Sequence, residues 1–256
     1  MQMEMEMTKK EDKNREFYDD LIDGKIKRGL LGVDKRFNPD VRFKPSIQKF
    51  FVREIESSVC NTDVVLDLGC GVGAFLAATA PYCAEIVGID ISENFVRKTN
   101  DLIAQENIIN ASTKHQINKL IPAENNSFDV VIMIDVVHHL VDINETLKEV
   151  RRVLKPCGSL LIFEPNKLNP LMFLLHIADK NEWGLLALGS PQKYRATVGK
   201  IFDINRISWS GLVVGPESKI FHKIAIFLDK NIINKLLGWL QPKIFISAKN
   251  PPKKLG

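Results

Sequence analysis

The sequence has few cysteines, no long apolar run and little excess of charge. The four cysteines are scattered, at Cys60, Cys70, Cys83 and Cys157. Because no C-x-x-C pair occurs, neither a zinc ribbon nor a disulfide framework is expected, and we predict no metal site. No stretch approaches the ~20 apolar residues of a membrane span. The net charge of +4, without an arginine-rich stretch, argues against a nucleic-acid partner.

The first residues, M-Q-M-E-M-E-M, carry acids where a signal peptide needs an unbroken apolar core. We therefore expect a cytoplasmic protein. The stretch 220–240 mixes apolar residues with lysines in an amphipathic pattern, which suits an anionic membrane surface. The same pattern also suits packing against the domain or another subunit, so peripheral membrane contact and an oligomeric interface both stay open.

Apolar strands alternate with helices from residue 64 onward. Strands are predicted at Val64–Leu68, Glu85–Asp90, Ser112–Ile117, Ser127–Asp135, Ser159–Phe163, Phe202–Ile207 and Lys243–Ala248. Helices are predicted at Ala74–Ala80, Glu93–Gln105 and Asn144–Leu154. This alternation predicts an α/β fold, a doubly wound and mostly parallel sheet with helices on both faces.

The first strand runs into a glycine-rich turn that reads D-L-G-C-G-V-G from Asp67 to Gly73. Glycines at alternate positions let the backbone approach a ligand where a Cβ would collide. At the carboxyl end of a parallel strand, that ligand is typically nucleotide-like. The spacing Gly69-x-Gly71-x-x-Ala74 also fits the fingerprint of NAD and FAD proteins. The glycines alone therefore do not distinguish a dinucleotide from another nucleotide-like ligand.

The second strand ends in an acid, Asp90, 17 residues beyond Gly73. An acid at this position accepts hydrogen bonds from ribose hydroxyls and disfavours a 2′-phosphate. Acids after strands also cap helices, so this role stays open as the alternative.

Further segments extend the pattern. Residues 125–131 read N-N-S-F-D-V-V, residues 138–140 read H-H-L, residues 152–158 read R-V-L-K-P-C-G, and residues 164–166 read E-P-N. Together with the turn they cover about residues 60 to 166, and in order and spacing they resemble the class I, Rossmann-like S-adenosylmethionine-dependent methyltransferases. The nearest resemblance is to the small-molecule family that includes quinone- and sterol-methylating enzymes. The run R-V-L-K-P-x-G is not expected of NAD enzymes.

The resemblance implies a sheet of seven strands in the order 3-2-1-4-5-7-6 and S-adenosylmethionine as the cofactor. A carboxylate beside the turn disfavours a pyrophosphate but suits this cofactor, which carries a sulfonium and an ammonium and no phosphate. The implied cofactor residues are Asp67, Gly69, Cys70, Gly71, Gly73, Asp90, Ile91, Asn118, Asp135 and Val136.

The chain departs from the family pattern at two places. The acid that often meets the adenine is missing, since the corresponding positions are Gln116, Ile117 and Asn118. We expect Asn118 to bond the adenine edge instead. The family's Lys-Pro-Gly-Gly turn has Cys157 at its third position, where we expect little effect because Gly158 is retained.

Candidates for catalysis follow the fourth and fifth strands. His138 and His139 follow strand four and Glu164 ends strand five, and a histidine is the natural base near neutral pH. His139 alternatively fixes its loop, and Asp142 alternatively caps the next helix. We expect methyl transfer to oxygen or carbon, rather than nitrogen, of a small-molecule or lipid-like acceptor.

We expect one methyltransferase domain over residues 1–256. Residues 1–43 would form an arm, with Phe17, Tyr18 and Phe43 as a lid, and 44–166 the cofactor-binding core. Residues 167–200 would cap the acceptor pocket, and 201–256 would hold the last strands and amphipathic helices. The rival functions are an NAD-linked enzyme and a non-catalytic partner protein that kept the fold.

Overall fold

The computed structural model describes residues 15–20, 22, 37–117, 119–177, 183–214 and 219–252. In this part of the chain, seven strands form one sheet in the order β3-β2-β1-β4-β5-β7-β6. The strands are β1 Val64–Leu68, β2 Glu85–Asp90, β3 Ala111–His115, β4 Phe128–Ile134, β5 Leu154–Pro165, β6 Asp203–Ser210 and β7 Lys243–Lys249. Strands β1 to β5 are parallel, and β7 runs antiparallel to β5 and β6. The predicted fold class and strand order are confirmed.

Helices cover both faces of this sheet. Their bounds are α1 Arg53–Ser58, α2 Ala74–Thr79, α3 Glu93–Gln105, α4 Ile143–Val153, α5 Pro170–Ile177, α6 Gly184–Leu188, α7 Pro191–Val198, α8 Lys219–Leu228 and α9 Asn231–Leu237. A π-helical turn, Ile47–Val52, leads into α1. Helices α4 and α7 pack on one face of the sheet, and α2, α8 and the segment 47–58 pack on the other. None of the helices described is long and apolar enough to cross a membrane.

Strand β4 shows why helices cover both faces of the sheet. Six of its seven residues are buried, as the apolar run D-V-V-I-M-I predicts for a central parallel strand. Val131 and Met133 join the core under α4, whereas Val130 and Ile132 join the core under α2. The sheet thus has two hydrophobic layers, and its carboxyl edge is left for polar groups.

Two of the helices begin at a polar side chain that caps them. Ser92 Oγ accepts a hydrogen bond from the Phe95 N–H and caps α3. Asp142 accepts a hydrogen bond from the Glu145 N–H at 3.0 Å and caps α4, the alternative that the sequence left open. In the arm expected over residues 1–43, residues 15–20 are helical, and most of the rest of this arm lies outside the described residues.

Strand β5 begins earlier than predicted and includes the Lys-Pro-Cys-Gly turn. Cys157 there has φ +64°, in the left-handed region that favours glycine. Gly158 is needed for space, because a Cβ would lie 2.9 Å from the carbonyl oxygens of Asp129 and Lys155. We expect cysteine to have little effect at position 157, but the structure places it in a backbone conformation that is strained for a residue other than glycine.

Replacing Cys157 with glycine is expected to raise the free energy of unfolding by about 1 kcal/mol, since it relieves this strain. The side chain is exposed, and the hydrogen bond from its N–H to the Asn250 carbonyl is retained. Urea denaturation would measure the gain. Cys60→Gly, at an exposed cysteine without positive φ, is the control and gains nothing. An equal gain from Cys157→Ala would contradict the backbone explanation.

Candidate active site

A cavity of about 460 Å³ lies at the carboxyl ends of β1, β2 and β4. The turn after β1 lines it with Gly69, Cys70 and Gly71, and the end of β2 adds Asp90 and Ile91. The loop after β4 supplies Asp135, Val136 and His139. The fold therefore brings most of the predicted site residues to one crevice, as expected for an open parallel sheet.

The glycines of the turn are required by its backbone. Gly69, Gly71 and Gly73 have φ values of +77°, +55° and +79°. A Cβ on Gly69 would lie 2.4 Å from Val136 Cγ2, and one on Gly73 would lie 2.8 Å from Thr99 Cγ2. A Cβ on Gly71 would meet no atom within 4 Å. Gly69 and Gly73 thus permit close packing within the protein, while Gly71 leaves free space beside the cavity.

The N–H groups of the turn are already used within the protein. Gly69 and Cys70 both donate to the Ile89 carbonyl, at 2.7 and 3.2 Å. Gly71 donates to Asp90 Oδ2 at 2.9 Å. A dinucleotide site offers such N–H groups to a pyrophosphate, whereas here a carboxylate occupies one of them. This geometry disfavours the NAD-linked alternative.

Asp90 lies between the start of α3 and the cavity. Its Oδ1 accepts the Ser92 N–H at 2.9 Å, which braces the start of α3. Asp90 also lines the cavity, and its carboxylate keeps lone pairs that can accept hydrogen bonds there. Burial raises the pKa of Asp90 to about 6, although hydrogen bonds from the Ser92 and Gly71 N–H groups favour the charged form. The Asp90 carboxylate is therefore a poorly solvated acceptor for a hydrogen-bond donor of a ligand in the cavity.

Asp67 lies behind the turn and does not line the cavity. It is only 3% exposed, and among the described residues no hydrogen-bond donor reaches its Oδ2. Burial, with a smaller contribution from the negative charge of Asp90, raises the pKa of Asp67 to about 7. Within the described ranges, neither carboxyl group forms an ion pair with a Lys or Arg side chain, so a cationic ligand in the cavity would stabilise their charged forms.

Glu164 is fully buried and organises the loop after β4. Its Oε1 accepts the N–H groups of Val136 and Val137, both at 2.8 Å. Its Oε2 is 2.6 Å from His138 Nδ1 and accepts the Tyr194 hydroxyl at 3.2 Å. Neither Glu164 nor His138 lines the cavity. Their geometry supports a positioning role in place of the contact with substrate that the sequence suggested.

His139, in contrast, faces the cavity. Its Nε2 lies 3.0 Å from the Tyr18 hydroxyl, and its ring packs edge-on against the tyrosine ring. Tyr18 and Arg15 from the helical residues 15–20 also line the cavity, whereas Phe43 is exposed and does not. Tyr18 is therefore the member of the expected lid trio that reaches this crevice.

Asp135 is held at the cavity by a residue from the far end of the chain. It has φ +56°, and its Oδ1 accepts a hydrogen bond from the buried ammonium of Lys243, the first residue of β7. Sequence reasoning missed Lys243 and Tyr194, because no local motif links them to β4. It also missed Phe37, Lys119 and Thr146, which line the cavity.

At the positions that the resemblance implies for an adenine contact, Gln116 and Ile117 line the cavity, and Ile117 is 79% exposed. Gln116 is anchored by its N–H, which donates to the Asp90 carbonyl at 2.9 Å. Asn118, which we expect to bond the adenine edge, lies outside the described residues.

Comparison with known proteins gives consistent matches. A family model described as a methyltransferase domain matches residues 66–162. An uncharacterized methyltransferase of Bacillus subtilis, YcgJ, is 28% identical over 60% of this chain and 67% of its own. A ubiquinone biosynthesis O-methyltransferase of Roseobacter denitrificans is 29% identical over 63% of this chain and 71% of its own.

A solved structure of a SAM-dependent methyltransferase from Aquifex aeolicus shares the fold. Its TM-score is 0.58 at 16% identity, with 83% of this chain and 98% of that chain covered. Alignments with four curated relatives span about a third to two thirds of those proteins, from 31% to 67% of their length.

The residues of the cavity fit S-adenosylmethionine. Asp90 in the cavity wall can accept hydrogen bonds from ribose hydroxyls, and its carboxyl group, with that of Asp67 behind the turn, suits the positive charge of the cofactor. The free space at Gly71 admits a close ligand, and the occupied N–H groups do not call for a phosphate. With the matching domain and relatives, this fit identifies S-adenosylmethionine as the cofactor, and residues 66–162 match the methyltransferase domain that uses it.

Proposed function

We propose that this protein transfers a methyl group to an oxygen or carbon atom of a small, lipid-like acceptor, with His139 as the general base. When bound, S-adenosylmethionine supplies the methyl group on a sulfonium, a strong leaving group, so no covalent enzyme intermediate is needed. The protein has to align the acceptor and remove its proton.

The observation that carries the proposal is the position of His139. It is a histidine that lines the cavity, and the Tyr18 hydroxyl 3.0 Å from its Nε2 holds the ring at the cavity wall. His138 is engaged with Glu164 instead. Of the three candidate catalytic residues, His139 is thus the one in reach of an acceptor.

Much of the cavity wall favours an apolar acceptor. Phe37, Leu140, Val141 and Val214 line the cavity, and their side chains offer no hydrogen bonds. A ligand pocket with mostly apolar walls and a few polar groups typically takes an apolar ligand and orients it. The relative from Roseobacter, named for ubiquinone biosynthesis and O-methylation, supports the same class of acceptor.

We propose that the helical residues 15–20 act as part of a lid. Tyr18 lines the cavity, and Asp19 on the same turn hydrogen-bonds Ser92, the cap of α3. The contacts to His139 and Ser92 fasten this segment across the crevice at two points. A lid of this kind would exclude water from the acceptor and its base.

The test combines methyl-labelled cofactor with a lipid extract and the purified protein. The proposal expects label in the organic phase. His139→Ala is expected to slow the transfer by about 100-fold or more, in the range of a lost general base. Tyr18→Phe is expected to slow it several-fold, since it loses one hydrogen bond of ~1 kcal/mol.

Cofactor affinity, measured by calorimetry, serves as the control and is expected to stay within threefold in both variants. Asn144→Ala, an exposed residue of α4 outside the cavity lining, is expected to keep the full rate. Label on protein or RNA, or full activity of His139→Ala, would overturn the proposal. Cofactor binding without transfer to any fraction would favour the non-catalytic partner protein.

A further inference from the structure

Most exposed large apolar side chains of the described residues lie in two segments. The first comprises α5 and its flanks, with Leu171, Phe173 and Leu174 exposed. The second comprises α8, α9 and the turn Gly238–Leu240 that follows α9. A soluble protein seldom exposes so many apolar side chains in adjoining elements unless they bind something.

Helix α8 shows that the exposure follows the helical repeat. His222, Ala225 and Leu228 on its inner side are buried. Ile220, Ile224 and Phe227, spaced by four and three residues, are exposed on the opposite side. The side of α8 that faces solvent is therefore apolar, where a helix at the surface of a soluble domain is usually polar.

Helix α9 extends the same surface. Ile232 and Leu236, four residues apart, are 77% and 71% exposed. Trp239 follows at 41% exposure, and tryptophan is typical of the boundary between lipid and water.

The two segments meet at one place in the fold. The Asn166 side chain, just before α5, donates to the Trp239 and Gln241 carbonyls at 2.8 and 2.9 Å. The Asn169 side chain donates to the Leu240 carbonyl. These bonds fix the start of α5 against the end of the second segment. We call the exposed apolar side chains of both segments the apolar surface.

The charges around the apolar surface have one sign. Lys219, Lys223, Lys230 and Lys235 are all exposed. The one acid between residues 219 and 249 is Asp229, and its carboxylate is 3.0 Å from Lys49 Nζ. Within residues 219–249 the exposed lysines therefore far outnumber the acids, which is the charge pattern that anionic lipid headgroups complement.

The apolar surface also lies at the carboxyl edge of the parallel strands, where the cavity lies. Strand β5 ends at Pro165 and β7 begins at Lys243, and these two residues pair with each other. Both segments of the apolar surface leave or enter the sheet at this edge, which is also the edge of the cavity. Lys243 itself hydrogen-bonds Asp135 in the cavity wall.

We propose that the apolar surface binds an anionic phospholipid bilayer, with Ile232, Leu236 and Trp239 in the interface and the lysines against the headgroups. The bilayer is then the source of the acceptor, and in this respect the inference rests on the proposed function. A lipid-like acceptor would reach the cavity from the adjoining membrane without crossing water.

The test is co-sedimentation of the full chain with vesicles, in the absence of cofactor and acceptor. Vesicles of phosphatidylglycerol and phosphatidylcholine in equal parts are expected to bind the protein at least tenfold more tightly than phosphatidylcholine alone. Raising the salt concentration is expected to weaken the binding, since the headgroup contacts are electrostatic. The double variant Ile232→Ser, Leu236→Ser is expected to lose at least tenfold in affinity, and so is Lys223→Gln, Lys235→Gln.

Ile109→Ser is the matched control, because Ile109 is 98% exposed but lies outside the apolar surface. It is expected to bind vesicles as the unaltered chain does. Equal binding by the serine double variant would overturn the inference, and so would a dimer in sedimentation analysis that dissociates in that variant and never binds vesicles. Vesicle binding without methyl transfer would overturn the proposed function alone, whereas methyl transfer without vesicle binding would overturn this inference alone.

Discussion

Replacing Asp67 with asparagine is expected to stabilise the ligand-free protein at pH 8 and at the same time to weaken its binding of cofactor. The pKa of Asp67 is raised by burial and by Asp90 to about 7 from an ordinary value of 3.8. A carboxyl whose pKa is raised on folding contributes stability below its unfolded pKa, and that contribution is lost as the pH rises through the folded value. The charged form is thus the unfavourable one in the ligand-free protein.

The size of the effect follows from the shift. About three pH units correspond to roughly 4 kcal/mol at most, by 1.36 kcal/mol per unit. The free energy of unfolding of the unaltered protein should therefore fall between about pH 4 and pH 7. Asp67→Asn should remove most of that fall and gain about 2–4 kcal/mol at pH 8. The free energy of unfolding of the variant should still fall somewhat with pH, because the pKa of Asp90 is raised as well.

Cofactor binding should respond in the opposite direction. A cationic ligand favours the charged form of Asp67, so the affinity of the unaltered protein should rise as the pH increases through about 7. The variant should bind about 5–30-fold more weakly at pH 8, for a loss of ~1–2 kcal/mol, and with a flatter pH dependence.

Urea denaturation from pH 5 to pH 8 without cofactor, and calorimetry over the same range, measure the two effects. Asp101→Asn, at an exposed position of α3, is the control and should change neither. If the free energy of unfolding changed with pH in the same way in Asp67→Asn and in the unaltered protein, charged Asp67 would not destabilise the folded state. An unchanged affinity would remove it from the cofactor site.

Replacing Glu164 with alanine is expected to cost about 3–5 kcal/mol of stability, the second large effect. Three backbone N–H groups, an imidazole and the Tyr194 hydroxyl would lose their shared acceptor in a fully buried place. Glu164→Gln should cost less because it keeps one acceptor oxygen, but it still costs stability because its NH2 group faces other donors. The loop that carries His139 should lose its fixed position, so methyl transfer should fall together with stability.

Tyr194→Phe is the graded comparison, since it removes one of the five donors and should cost about 1 kcal/mol. Thermal and urea denaturation give the order of the three variants. Glu124→Gln, at an exposed glutamate, should be neutral. If Glu164→Gln abolished methyl transfer at unchanged stability, Glu164 would be a catalytic residue, as the sequence suggested, and not a positioning residue.

Local chemistry made much of the fold predictable. The bounds of β1, β2 and α3 follow directly from apolar runs and from Ser92 as a cap, because those signals act within a few residues. The glycine turn was predictable for the same reason, since positive φ and close approach select glycine. The missed features depend on strain or on distant pairing: Cys157 adopts a conformation that its residue type disfavours.

The site was less predictable than the fold where partners come from far along the chain. His138 and His139 are adjacent and alike in sequence, yet one is buried against Glu164 and the other faces the cavity. Only the three-dimensional arrangement separates them. Tyr18 contacts His139 across 121 positions and Tyr194 contacts Glu164 across 30, so neither pairing leaves a motif in the sequence.

The pairing of Lys243 with Asp135 has a consequence for the order of synthesis. The two residues are 108 positions apart, and the lysine is buried beside the wall of the cavity. A nascent chain emerging from the ribosome completes the glycine turn, Asp90 and the loop after β4 long before the lysine that counterbalances Asp135 exists. The cavity wall at Asp135 is therefore completed only when β7, the last in chain order of the seven described strands, inserts between β5 and β6.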